Sequence, residues 1–190
     1  MDELSSAEKA LTALQSVVHL IGDDDLHRPT PCHDFDVAAL ADHLVETVIR
    51  LGESAGAHLA CAADATVERR ILQATRPVLA AWRSRGVAGE VEFSGLALPA
   101  RLALGVLSLE LVVHGWDFAV ALRRPLPVSG AHAEFVLAMA RETIAEESRD
   151  IGRFGQPVSV ADDALAIDRL VAFTGRSPGC ASASLRPSTA

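Results

Sequence analysis

Residues 102–115 read LALGVLSLELVVHG, a run in which Glu110 and His114 are the only ionisable side chains. A helix that is apolar on every side is mostly buried, so this run predicts a core helix, which we place at residues 99–122. The spacing of four residues puts Glu110 and His114 on one face of that helix, one turn apart. Asp117 shares this face. The run therefore predicts both the centre of the fold and a small cluster of buried ionisable groups.

Apolar residues recur at helical spacing along most of the remaining chain. They predict further helices over residues 6–20, 37–57, 64–85, 131–148 and 163–173, with Ser5 or Ser6 capping the first and Asp36 the second. Pro77 is expected to kink or interrupt the third, and residues 91–93 to form a short strand. This pattern predicts an all-α fold, because several apolar helix faces bury one another most readily in a bundle.

Length and composition indicate one globular domain, predicted at residues 1–176, and a disordered Ser/Ala/Pro-rich tail at 177–190. The chain has 190 residues, 49% of them hydrophobic, and a net charge of −8. This negative charge argues against nucleic-acid and anionic-membrane partners. Three cysteines without C-x-x-C spacing argue against a disulfide framework and a cysteine-based zinc knuckle. With no signal-peptide pattern near the start, we expect a cytoplasmic protein.

Glu110 needs a compensating partner, because a buried carboxylate is costly unless it is paired or bound to a metal. An ion pair with His114 alone would satisfy it. A divalent metal held by both residues would do so too, with His43 of the second predicted helix as a third ligand. Two histidines and one glutamate form a known catalytic zinc set that leaves a coordination position open.

Three segments, in order along the chain, carry a resemblance to a known family. They are PTPCHDFDVAALADHL (29–44), ELVVHGWDFAVAL (110–122) and FGQPVSVADDALAIDRLVAFTGRSP (154–178). The chain resembles the actinobacterial metal-binding family related to the metal-binding domain of the mycothiol-dependent maleylpyruvate isomerase, within the DinB-like superfamily. This resemblance implies a four-helix bundle with a short C-terminal capping helix. It also implies His43, Glu110 and His114 as the ligands of one divalent metal, for which zinc fits the ligand set best.

The resemblance implies a thiol-dependent S-transferase or isomerase, in which the metal activates mycothiol or another small thiol toward an electrophilic small molecule. The isomerase itself carries an additional C-terminal α/β domain, whereas this chain has only forty residues after residue 150. A non-catalytic metal- or ligand-binding module with a structural metal is therefore the alternative. Either protein is expected to be a monomer or a homodimer.

Other residues near these motifs have two interpretations each. Asp117 either orients a histidine ligand through its ring N–H or bonds backbone near the helix end. Cys32, just before a helix N-terminus, is either a reactive thiol or a small buried turn residue. His33 and Asp34 either line the mouth of a pocket or are solvated loop residues.

Overall fold

The computed structural model describes residues 1–59, 65–93, 95–146, 149 and 154–179. These residues form a mostly helical fold with one small sheet, so the predicted all-α class holds in outline. The helices are α1 (Glu3–Val18), α2 (Val37–Glu53), α3 (Val67–Arg85), α4 (Ala100–Ala121), α5 (Gly130–Thr143) and α6 (Ala166–Phe173), with a 3-10 turn at Asp23–Asp25. Of the predicted disordered tail, residues 180–190 lie outside the described residues.

The starts of the first two helices are set by aspartate caps. The Asp36 carboxylate accepts a hydrogen bond from the Ala39 amide, which confirms the predicted start of α2. The first helix begins three residues before its predicted start, because Asp2 caps it by accepting from the Ser5 amide. The prediction of Ser5 or Ser6 as the cap was wrong, and Ser6 is instead a buried residue of the helix.

A β-hairpin joins α3 to α4. Pro77 lies inside α3 without interrupting it. The predicted strand is present as β1 (Glu90–Phe93), and it pairs antiparallel with β2 (Leu96–Pro99), which the sequence did not predict. Pro99 was predicted as the start of the core helix, but it is the last residue of β2, and α4 begins one position later, at Ala100.

Helix α4 is the centre of the fold, because α1, α2, α5, α6 and both strands all contact it. Its 22 residues are long and apolar enough to cross a membrane, but 83% of its most apolar window is buried inside the protein. This is the burial of a core helix, and it is consistent with a soluble protein. Polar groups on such a helix face either protein or an internal cavity.

The last described segment folds back across α4. Helices α5 and α6 pack against each other, and both are shorter than the predicted 131–148 and 163–173. Gly175 has a positive φ of +91° and lies against Gly155 so closely that a Cβ on it would be 2.5 Å from the Gly155 Cα. This contact requires glycine and fixes the position of the next residue, Arg176.

Candidate metal site

Helix α4 presents Glu110 and His114 toward one end of a cavity, as the sequence spacing predicts. His114 Nε2 lies 3.1 Å from Glu110 Oε2, and the two side chains are only 7% and 12% exposed. Despite this short distance, the pair does not have hydrogen-bond geometry. The buried Oε2 has no hydrogen-bond partner among the described residues.

Asp117 holds the other side of the His114 ring, which is the first of its two predicted interpretations. His114 Nδ1 and Asp117 Oδ2 are 3.0 Å apart. Because an ionised carboxylate only accepts hydrogen bonds, Nδ1 carries the proton and donates it to Asp117. In neutral His114 the lone pair is then on Nε2, the nitrogen that faces Glu110.

Arg176 completes this chain of contacts. Its Nη2 donates to Asp117 Oδ2 at 2.9 Å and its Nε to Oδ1 at 3.3 Å, and both residues are buried. Burial would raise the pKa of the Asp117 carboxyl, but the His114 hydrogen bond and the Arg176 charge together hold it below its ordinary value. Asp117 is therefore a fixed anion that orients the histidine ring.

The charges around His114 leave a position for a cation. Burial alone would lower the pKa of His114, but the carboxylates of Asp117 and Glu110 outweigh burial and raise it to about 9. The same histidine holds the pKa of Glu110 below its ordinary value in spite of burial. Without a cation, Nε2 and Oε2 would be two acceptors facing each other at 3.1 Å. A proton or a metal ion must lie between them.

His43 reaches the same point from α2. Its ring stacks on Phe35, with centroids 5.0 Å apart, and meets the edge of the His114 ring at 5.2 Å. Burial lowers the pKa of His43, and positive charge on His114 lowers it further, so its neutral form is favoured. A neutral imidazole is the form that binds a metal.

One ligand atom from each of His43, Glu110 and His114 lies within 4.8 Å of the other two. Ligand atoms of tetrahedral zinc lie about 2.0–2.2 Å from the ion, hence about 3.3 Å from one another. The Nε2–Oε2 distance of 3.1 Å is close to that value. The donor set, the unpartnered Oε2 and this spacing fit a divalent metal.

Cys32 belongs to a second possible cluster, with His114 and Asp117. Asp117 already uses both oxygens for Arg176 and His114, so it has little capacity left for a metal. Burial raises the pKa of the Cys32 thiol to about 11, although the Arg176 charge opposes this. A thiol that stays protonated at neutral pH favours the interpretation of Cys32 as a small, partly buried turn residue.

A cavity of about 710 Å³ opens above this cluster. His43, Glu110 and His114 lie along it, and so do the exposed residues His33 and Asp34, which agrees with the first of their two interpretations. A volume of this size suits a small organic molecule. The cluster is therefore accessible from a space that can hold a ligand.

One residue of the site and one buried contact away from the cavity were missed from the sequence. The first is Arg176, although a buried Asp117 on an apolar helix requires a cation nearby, and that requirement was a usable signal. The second is the buried pair of His132 Nε2 and Ser6 Oγ, 3.0 Å apart between α5 and α1. The sequence shows no partner for His132, because the two residues are 126 positions apart.

Comparison with known proteins places the chain beside relatives without a described function. It is 25% identical, over 188 residues, to the uncharacterized proteins MT0763 and Rv0738 of Mycobacterium tuberculosis, from strains CDC 1551 / Oshkosh and ATCC 25618 / H37Rv. The match covers 93% of this chain and 98% of each relative. No family model and no solved structure matches the chain.

Proposed function

We propose that this protein binds one divalent metal ion, preferably zinc, through His43, Glu110 and His114, and uses it to activate a small thiol. The reaction would be an S-transfer or isomerisation with mycothiol or a similar thiol as co-substrate. The observation that carries this proposal is the buried pair of His114 Nε2 and the unpartnered Glu110 Oε2, 3.1 Å apart beside a cavity.

The proposed fold is a DinB-like four-helix bundle, in which α1 to α4 form the bundle and α6 is the short C-terminal cap. The mutual contacts of α1, α2, α3 and α4 support it, as does the position of the ligands on facing helices, where bundles build their metal sites. We also propose that the protein works in the cytoplasm, as a monomer or homodimer, on small molecules.

In this proposal the protein supplies position and charge. Asp117 holds the His114 ring so that Nε2 points at the site, and Arg176 holds Asp117. A metal ion bound there would act as a Lewis acid that favours the thiolate over the thiol at neutral pH. The thiol proton would leave to solvent, and the sulfur electron pair would form a bond to an electrophilic carbon of the second substrate. In an S-transfer the bond from that carbon to its leaving group would break and the leaving group would take the electron pair; in an isomerisation a carbon–carbon π bond would break and re-form when the thiolate departs. No protein nucleophile is required, so the neutral Cys32 thiol is compatible with the proposal.

Thiol titration of the cobalt-substituted protein tests this function. If a coordination position is open to the cavity, mycothiol or a simpler thiol should produce a sulfur-to-cobalt charge-transfer band and release a proton. The band should be lost in Glu110→Gln and His114→Ala, and it should persist in Cys32→Ser. The last variant is the matched control, because Cys32 lines the same cavity but supplies no sulfur in this proposal.

The alternative is a structural metal that only joins the helices. A cobalt protein that shows metal spectra but no thiol band would support this alternative and overturn the thiol chemistry. Stoichiometric metal in a His43, Glu110 and His114 triple variant would overturn the ligand assignment itself.

A further inference from the structure

The cavity beside the candidate metal site is rich in arginine. Arg50, Arg149 and Arg176 line it, whereas its acidic lining residues among the described part of the chain are Asp34 and Glu110. The whole chain has a net charge of −8, so this positive lining is not the general character of the protein. A concentration of one charge sign in a cleft attracts ligands of the opposite sign.

The three arginines differ in how their charge is balanced. The buried Arg176 is paired with Asp117. Arg50 has a side chain that is 47% exposed, with Glu46 4.0 Å away. Solvent or a carboxylate therefore stabilises both of these cations.

Arg149 is buried and has no carboxylate partner among the described residues. It is only 7% exposed, its guanidinium carbon lies 4.7 Å from the centre of the Phe173 ring, and Nη1 donates to the Gly155 carbonyl. Among residues 1–59, 65–93, 95–146 and 154–179, no carboxylate oxygen lies within 4.0 Å of this guanidinium. A buried cation is stabilised by a nearby anion, and Arg149 lines the cavity, so its position favours an anion there.

The rest of the cavity indicates what accompanies that anion. Apolar side chains line it from several elements, among them Phe93, Leu98, Val106 and Phe154. A planar guanidinium fork matches a carboxylate with two parallel hydrogen bonds. The combination suits an organic molecule with one carboxylate and an apolar body.

We propose that Arg149 anchors a small organic carboxylate in this cavity, with the apolar part of the ligand against Phe93 and Phe154. The assignment of this carboxylate to the electrophilic second substrate rests on the proposed function. The carboxylate site itself needs no metal, because Arg149, Phe173 and Gly155 form it without any of the three metal ligands. The two proposals can therefore fail separately.

The test is an NMR titration of the metal-free protein with phenylacetate and with phenylacetamide, which has the same size but no charge. Phenylacetate should bind and shift the amide resonances of Gly155 and Gly175. Phenylacetamide should bind about tenfold more weakly or worse, because a hydrogen bond to a charged group is worth about a factor of ten or more in affinity. Equal affinity for the two compounds would overturn the proposal without any variant.

Variants locate the binding group. Arg149→Gln should weaken phenylacetate about tenfold or more, and Arg149→Lys should retain part of the affinity because it keeps the charge. Arg50→Gln is the matched control, because Arg50 lines the same cavity with a half-exposed side chain, and it should leave the affinity within about twofold, as expected for an exposed charge. An equal loss in Arg50→Gln and Arg149→Gln would indicate a diffuse positive potential and overturn an Arg149 anchor. If the cobalt protein shows no thiol band but phenylacetate still binds, the proposed thiol chemistry is wrong and the carboxylate site stands.

Discussion

Replacing Arg176 by methionine should destabilise the metal-free protein strongly. Asp117 is fully buried, and Arg176 supplies two of its hydrogen bonds, at 2.9 and 3.3 Å. Removing one partner of a buried ion pair leaves an uncompensated charge and costs about 3–5 kcal/mol. At about 2–4 °C per kcal/mol for a domain of this size, the melting temperature should fall by about 6–20 °C. Urea and thermal unfolding of the metal-free chain measure both quantities.

Arg169→Met is the matched control. Arg169 lies in α6, seven positions before Arg176, and pairs with Glu134 at the surface, where the two side chains are 36% and 47% exposed. Such an exposed pair contributes about 0–1 kcal/mol. The reasoning about Asp117 is refuted if Arg176→Met lowers the free energy of unfolding by no more than Arg169→Met does.

Three further predictions concern metal, backbone and pH. Purified protein should hold about one zinc ion per chain, and His114→Ala should lose most of it in elemental analysis while the exposed His19→Ala retains it. Gly175→Ala should lower the free energy of unfolding by about 1–3 kcal/mol or more, because φ is +91° and the new Cβ would meet backbone. In the same unfolding assay Gly130→Ala should be neutral or slightly stabilising, because the space around Gly130 is open. Burial lowers the pKa of His132, although Ser6 opposes this, so the unfolded chain takes up this proton more readily. Stability should therefore be lost as pH falls below about 6.5, and the difference in free energy of unfolding between wild type and His132→Gln should narrow from pH 7.5 to 5.5. If the difference in free energy of unfolding between wild type and His132→Gln stays constant over this pH range, the prediction is wrong. His19→Gln serves as the control.

The parts of the fold that depend on local sequence were predictable. The apolar run around Glu110 and His114 predicts a buried helix, and α4 is that helix. The spacing of these two residues also predicts their contact, since neighbours four apart meet on any α-helix. The cap at Asp36 follows from side-chain chemistry at a single position.

The parts of the fold that depend on contacts between residues far apart in the chain were not predictable from the sequence. Strand β2 exists only because β1 lies beside it, and its residues LALP merge with the apolar run of the next helix when they are considered alone. Likewise, the sequence shows that Asp117 needs a cation but not that Arg176 supplies it. Which side chains meet across 59 residues is decided by how the helices pack, and periodicity contains no information about that.

The pairing of Asp117 with Arg176 has a consequence for synthesis of the chain on the ribosome. The two residues are 59 positions apart, so the aspartate is synthesised well before the arginine. At about 5–20 residues per second, this interval lasts roughly 3–12 s. Throughout it, the nascent chain contains its most apolar helix with a carboxylate that has no guanidinium to neutralise it. Closing the core early would bury that carboxylate with only His114 to balance it, so final compaction of the nascent protein is expected to wait until Arg176 is available.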